Sequence, residues 1–449
     1  MATQSNISGN QNIVIQNVTE STISVTVNGE GLEIRNELAE LKRLLQEQHA
    51  QSVQFAERIY EIAHFDEANF SFVTGKKAFN ENLTRQLIEA ILPYSKAAQE
   101  LLRNTEGTPE REAHLRFSDK AKQIIACSFV GVIGIQLRKL MAIGKEDFSE
   151  NKLRDYIGKC IDIAKYSLDL IGVALLSKLW DEHRIQPRVF NEMELRGFKI
   201  FFDNIIEPSL PDRFQFLQML NGVFENKENA LTYPFSEWSD LTPALKSEGE
   251  LHQICRQIAT LNERLDKNQY DLLDCFEAEQ QLGGFFLNLP FLANCCMASI
   301  RHIGYREPRN TDARYLHRFT ALGIDNKANM DAEKINCTPE TVHTDAVLLY
   351  QGNHYSEYIN LSPFVIDYNS LTFEKGAKIC FYATKMFDSD ILEYIFLEDN
   401  SKVHIEKRGT LKDEDLNEIM MHQEKQIIFN LDNIVNLFKD ARQCLVGES

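Results

Sequence analysis

Polar and apolar positions change period several times along this chain, and each change marks a different kind of element. In the first stretch Ile23, Val25 and Val27 alternate strictly with Thr22, Ser24 and Thr26, the period of a strand with one apolar face. Upstream, Ile7, Ile13 and Ile15 are set among Asn, Gln, Ser and Gly, and Asn28-Gly29 closes the run. Residues 1–31 carry no Lys or Arg and read as a β-type adaptor segment. After Gly31 the spacing lengthens. Ile34, Leu38, Leu41 and Leu45 fall four and three residues apart, with Glu37, Glu40, Lys42 and Arg43 between them, a short heptad seam. Polar Gln48 and Ser52 stop it, so residues 32–75 read as a helical neck and linker, free to pair with a partner or to pack on the body.

A helical period then dominates residues 76–324, the predicted α-helical body. Leu83, Leu87, Ile88, Ile91 and Leu92 share one face before Pro93 interrupts it. The apolar runs Ile124 to Met141 and Ile157 to Trp180 predict two core helices joined by a polar turn at Lys145 to Asn151. Pro187, Pro208 and Pro211 punctuate the next stretch, and Pro234 to Pro243 marks a loop. Helical patterning resumes over Leu251 to Leu265 and Tyr270 to Ile303.

Residues 325–339, rich in Asn, Asp and Lys, read as a linker and as an exposed loop open to proteolytic control. Beyond it the period shortens again. Ala346 to Tyr350, Glu357 to Leu361, Phe364 to Tyr368, Ala377 to Tyr382 and Leu392 to Leu397 are short β-branched or aromatic runs separated by turn residues. Thr410 and Asp413 have the spacing of a helix N-cap, and Ile427, Ile428, Leu431, Ile434, Val435 and Phe438 give an amphipathic helix to cover the sheet. Residues 340–449 therefore predict a small α+β domain with an antiparallel sheet. The fold class expected is multidomain and mainly α, with a short N-terminal β segment, a helical body and this terminal domain.

Bulk properties narrow the function. A chain of 449 residues with 43% hydrophobic content has room for two or three domains with real cores. The formal charge of −18 argues against wholesale nucleic-acid binding and leaves room only for a local basic patch. The longest apolar stretch, Ile124 to Ile135, is shorter than the roughly 20 residues of a bilayer span. There is no basic start with an apolar run, so no secretory signal is expected. Nine cysteines without regular spacing point to a reducing cytoplasm.

One segment departs from this acidic background. Arg301 to Arg318 holds five arginines and two histidines in eighteen residues, interleaved with Tyr305 and Tyr315. Guanidinium forks bind phosphate or carboxylate bidentately, and aromatic planes stack bases. Arg301, Tyr305, Arg306, Arg309, Arg314, His317 and Arg318 are thus candidate residues of an anion or nucleotide site. The competing reading pairs these arginines with the chain's own surplus of carboxylates where the helical body meets the terminal domain.

Elsewhere chemistry is sparse. Cys295, Cys296, Cys275 and His302 lack the spacing of a zinc site, and the adjacent cysteines read as small core residues of a helix. No G-x-S-x-G or H-E-x-x-H motif is present, and Thr74-Gly75-Lys76-Lys77 lacks the upstream glycine of a P-loop. No catalytic residue, metal or cofactor is assigned. The N-terminal segment has the composition of stacked in-register strands, and Ile13, Ile15, Ile23, Val25 and Val27 are its candidate assembly residues.

Asn6-Ile-Ser-Gly-Asn-Gln-Asn-Ile-Val-Ile-Gln-Asn-Val18 and Ser21-Thr-Ile-Ser-Val-Thr-Val-Asn-Gly29 resemble the short N-terminal segments of bacterial conflict and antiphage-defence proteins. Ile59-Tyr-Glu-Ile62 with Glu67-Ala-Asn-Phe70 is similar to sequence found after such segments, and Tyr358 to Tyr368 is similar to a small β-rich module of the same neighbourhood. The resemblance covers about a quarter of the chain. It implies a non-enzymatic adaptor, regulator or target protein of a bacterial defence or stress-signalling system, working through protein-protein interaction. A protease or signalling ATPase of the same system, or a second copy of the chain, is the partner it suggests. The alternative is a nucleotide- or RNA-binding sensor, or an effector enzyme, that uses residues 301–318.

Overall fold

The computed structural model describes residues 79–105, 110–143, 150–246, 248–322, 334–338, 342–351, 357–387, 389–409, 419 and 421–447. The adaptor segment with its assembly residues, the neck, and the Thr410/Asp413 cap lie outside the described residues.

Ten longer helices and nine strands form the architecture of the described residues, in the order α1 (Glu81–Ile91), α2 (Lys96–Thr105), α3 (Glu110–Ser128), α4 (Gly131–Ile143), α5 (Glu150–Ile185), α6 (Glu192–Asp203), α7 (Leu210–Glu225), α8 (Glu250–Asp266), α9 (Leu272–Asn288), β1 (Cys295–Arg306), β2 (Arg314–Ala321), β3 (Lys334–Thr338), β4 (Val347–Gln351), β5 (Tyr358–Asn360), β6 (Val365–Asp367), β7 (Ile379–Lys385), β8 (Leu392–Phe396), β9 (Lys402–Ile405) and α10 (Gln423–Val446). The protein is mainly α, with antiparallel sheet in its C-terminal third.

Helix α5 is the axis. Its 36 residues span about 54 Å at 1.5 Å per residue. Val173, Ala174, Leu175 and Leu176 are all buried, and four consecutive helical positions point in four directions. An amphipathic surface helix buries one stripe; this one is enclosed. Helices α4, α7, α8, α9 and α10 and strand β5 pack around it. Local chemistry fixes the helix starts nearby. Asn191, Ser209 and Asp271 cap α6, α7 and α9 through reciprocal capping boxes with Glu194, Asp212 and Asp274, which satisfies amides that the first turn leaves unpaired.

The strands form two sheets. The first has the order β3-β2-β1-β4-β5 and the second is the meander β6-β7-β8-β9, all antiparallel. One apolar core runs from the helices into both sheets through Met297, Val347, Leu349, Val365, Phe381 and Tyr394, and is closed by Leu431, Val435 and Phe438 of α10. The opposite face of the first sheet carries a smaller cluster of Ala298, Ile300, Phe319, Ala346, Leu348 and Tyr350. Polar ties hold the second sheet to the helices. Lys139 Nζ donates to Glu398 O at 2.6 Å, Asn400 Nδ2 donates to Asp162 at 3.0 Å, and Lys385 N donates to Asn204 O at 2.8 Å. Arg442 grips Asp203 with two bonds of 2.8 and 2.9 Å.

The sequence pattern misplaces four features. The apolar run Ile124 to Met141 is not one helix: α3 ends at Ser128 and α4 starts at Gly131. The Pro234 to Pro243 loop contains a 3₁₀ turn, Ser236–Asp240, that buries Trp238 completely. The helix expected through Ile303, which includes Cys295 and Cys296, stops at Asn288 and gives way to β1. A register shift between Ile300 and His302 explains the misreading. An extra residue at Arg301 puts Ile300 and Ile303 on the same face three positions apart, which imitates a helical period. Finally, the stretch read as linker contains β3, whose Lys-Ile-Asn-Cys-Thr sequence offers little apolar signal because the strand sits at the sheet's edge.

A carboxylate is also enclosed in the helical core. Glu279 of α9 is 3% exposed, accepting a hydrogen bond from the Tyr156 hydroxyl at 2.5 Å and from the Asn80 amide at 2.7 Å. Burial pushes its pKa up to about 7, the two hydrogen bonds offsetting part of the effect. Below the ordinary value of 4.5 both folded and unfolded chains are protonated at this group. Between there and about 7 only the folded chain keeps the proton, so stability falls as pH rises through this window, by about 3 kcal/mol at most. The urea midpoint of the wild type is expected to drop from about pH 5 to about pH 8 more steeply than that of Glu279→Gln. Equal slopes for the two proteins would contradict this assignment.

Candidate functional site

The arginine-rich segment folds as the β1–β2 hairpin with the turn 307–313 between its strands. Register decides what each side chain does. Arg306 lies directly opposite Arg314, Gly304 opposite Leu316, and His302 opposite Arg318. Directly opposed and i, i+2 residues share a face, so Arg306, Arg314, Arg318 and His302 stand on one side of the hairpin. All four are exposed. The hairpin overhangs: β4 pairs β1 only over Cys295 to Ser299, and from Arg301 onward β1 has no described strand on that edge.

The other candidates go elsewhere. Tyr305 and Tyr315 oppose each other on the reverse face with ring centroids 5.7 Å apart, and the Tyr305 hydroxyl donates to the Glu307 carboxylate. His317 is buried on that same face, where its Nε2 accepts the Val342 amide at 3.2 Å and burial lowers its pKa. Arg301, at the bulge, turns to the second sheet. Its Nη2 lies 2.9 Å from Asp367 Oδ2, and the guanidinium also donates to the carbonyls of Gly376 and Glu374. Asp367 is fully buried and accepts the Lys378 amide at 2.9 Å. Neighbouring Asp345, its pKa raised by burial, accepts the Ser370 hydroxyl at 3.0 Å. Arg301 therefore acts as a bolt between the sheets, the structural reading of the segment, whereas Arg306, Arg309 and Arg314 are exposed. Their side chains make no ion pair with any described carboxylate, although the protein carries 66 acidic residues.

At the tip, Arg306 and Arg314 flank an open cavity of about 590 Å³ completed by Pro308, Asn310, Thr311, Asp312 and Leu316. The turn is set by Thr311, whose amide and hydroxyl donate to Pro308 O at 3.1 and 2.8 Å, with Asn310 at φ 66°. Asparagine tolerates that left-handed conformation through its short polar side chain. Like charges directly across a strand pair repel. An anion between the two guanidiniums removes that repulsion and accepts two charge-assisted forks.

Sequence reasoning missed His302 and the cavity residues Pro308, Asn310, Thr311, Asp312 and Leu316. The signal was present in Arg314, Leu316 and Arg318, a period-two run, but the helix drawn through Ile303 concealed its partner strand. No described group of His, Cys, Asp or Glu could hold a metal, and Cys295 and Cys296 are adjacent strand residues directed to opposite faces. No described helix is long and apolar enough to cross a membrane. Comparison of the chain with protein-family models, with curated proteins and with solved structures finds no match.

The buried pair separates structure from recognition. Arg301→Ala leaves Asp367 uncompensated at full burial and is expected to cost about 3 kcal/mol, read as a lower urea midpoint. A loss within about 0.5 kcal/mol, the range of surface substitutions, would refute the bolt.

Proposed function

We propose that the protein is a non-enzymatic recognition component, an adaptor or regulator, of a cytoplasmic bacterial defence or stress-signalling system, and that it captures an anionic ligand on the β1–β2 hairpin. One observation carries the anion half of this reading. Arg306 and Arg314 stand directly opposite each other, exposed and without a described carboxylate partner, in a protein of net charge −18. An acidic chain with many carboxylates to spare leaves this pair without an ion pair at a cavity whose one lining carboxylate, Asp312, bridges to neither arginine. A structural role would have supplied a partner, as it does for Arg301 through Asp367.

Inorganic tripolyphosphate isolates charge from every other contact. Titrated into the full chain at low salt, it is expected to bind the wild type and to bind Arg306→Ala/Arg314→Ala about tenfold more weakly or worse, since hydrogen bonds to charged groups are each worth about 1.5–3 kcal/mol. Equal affinity in the two proteins would sink the anion reading.

The adaptor half rests on the N-terminal alternation of Ile23, Val25 and Val27 and the resemblance it carries. In it, residues 1–31 couple ligand capture to a protein partner, a protease or signalling ATPase of the same system, or to a second copy of the chain. Deleting residues 1–31 is expected to reduce oligomeric mass by light scattering, or partner capture by pull-down, while tripolyphosphate affinity stays the same. If neither mass nor capture changes, the segment is not an adaptor.

A further inference from the structure

The cavity is not a simple charge trap. Arg306 and Arg314 form its cationic wall, but Leu316 and Pro308 supply apolar surface, and Asp312, Asn310 and Thr311 supply polar groups. Leu316 is the telling residue. It is partly exposed, lies on the arginine face between the Arg306/Arg314 and His302/Arg318 pairs, and belongs to neither apolar cluster of the protein. Opposite it stands Gly304, whose missing side chain leaves a low saddle between the Arg306/Arg314 and His302/Arg318 pairs; a Cβ there would already touch the Leu316 Cβ at 3.4 Å. Four residues of strand separate the pairs, about 13 Å.

We propose that this cavity binds a nucleoside polyphosphate, with the phosphates between Arg306 and Arg314 and the base against the apolar side chain of Leu316. The inference rests on the anion-capture reading and names its ligand. Three observations favour a small ligand with one charged and one flat apolar end. The open cavity, about 590 Å³, has room for a small molecule. The anion end has two opposed guanidiniums, which match phosphate oxygens bidentately. The adjoining surface is apolar, which inorganic phosphate does not use and a base does. Asp312 at the rim accepts hydrogen bonds and repels further negative charge, so it suits the ribose hydroxyls or the exocyclic amine of the same ligand. A long polyanion fits less well, because phosphates reaching beyond the arginines of the hairpin would face a molecule of net charge −18.

The test compares ATP, GTP, inorganic tripolyphosphate and a short single-stranded RNA by calorimetric titration into the full chain in EDTA-containing buffer. At least one nucleotide is expected to bind about tenfold tighter than tripolyphosphate, the surplus coming from buried apolar area. Leu316→Thr, which keeps strand propensity, is expected to erase that surplus, so that nucleotide and tripolyphosphate affinities converge, with an unaltered melting temperature showing that it folds. Arg306→Ala/Arg314→Ala should weaken both ligands. Nucleotide and tripolyphosphate binding equally would overturn the nucleotide inference and leave anion capture standing. RNA binding tighter than any mononucleotide would overturn it in favour of a nucleic-acid interface. Failure of every probe to bind would remove both.

Discussion

The described fold is arranged about a helix that has no solvent side from Leu170 to Ser177. When Val173, Ala174, Leu175 and Leu176 are all buried, apolar partners must come from every direction, and no single layer of helices provides them. Helices α4, α7, α8, α9 and α10 and strand β5 share that task, so α5 belongs to the helical body and to the terminal region at once. The dry environment it creates sets the terms for polar groups nearby. Glu279 keeps its place only with the Tyr156 hydroxyl and the Asn80 amide as donors, and burial still drives it towards the protonated form.

The same enclosure explains where exposed, unpaired charge is found. A charge buried against α5 needs compensation, and Arg213 is held by Asp169 at 2.8 Å and Glu207 at 3.1 Å. The first sheet begins under that rule, with Met297 and Val347 in the main core, and leaves it as β1 runs past the end of β4. The bulge at Arg301 marks the transition. Arg301 itself stays compensated by Asp367, and five residues later Arg306 is exposed and makes no ion pair with a described carboxylate. Over one strand the arginine changes from a component of the fold to an exposed group.

Much of the fold was legible from spacing. The face of Leu83, Leu87, Ile88 and Ile91 is buried in α1, and the runs around Val347, Ile359, Val365, Phe381 and Tyr394 are strands β4 to β8. The amphipathic run Leu431 to Phe438 lies within α10 and closes the core. These elements have a single buried face or are fully buried, so their periodicity reports their environment directly. Failures came where period and environment part company. The bulge made β1 read as helix, an edge position hid β3, and β9, only four residues long with Lys402 and His404 facing out, gave too weak an alternation.

The candidate site divides along the same line. Composition alone determined that residues 301–318 concentrate positive charge in an acidic chain, because local charge density is a property of sequence. It could not sort the seven candidates, since that depends on which residues face each other across two strands and where the sheet stops being covered. Only the tertiary structure put Arg306 opposite Arg314, buried His317, turned Tyr305 to the reverse face, committed Arg301 to Asp367, and drew Leu316, Asp312 and the Pro308 turn into one cavity. Residue type and spacing fix what a side chain can do; register and burial choose which of those options is left open.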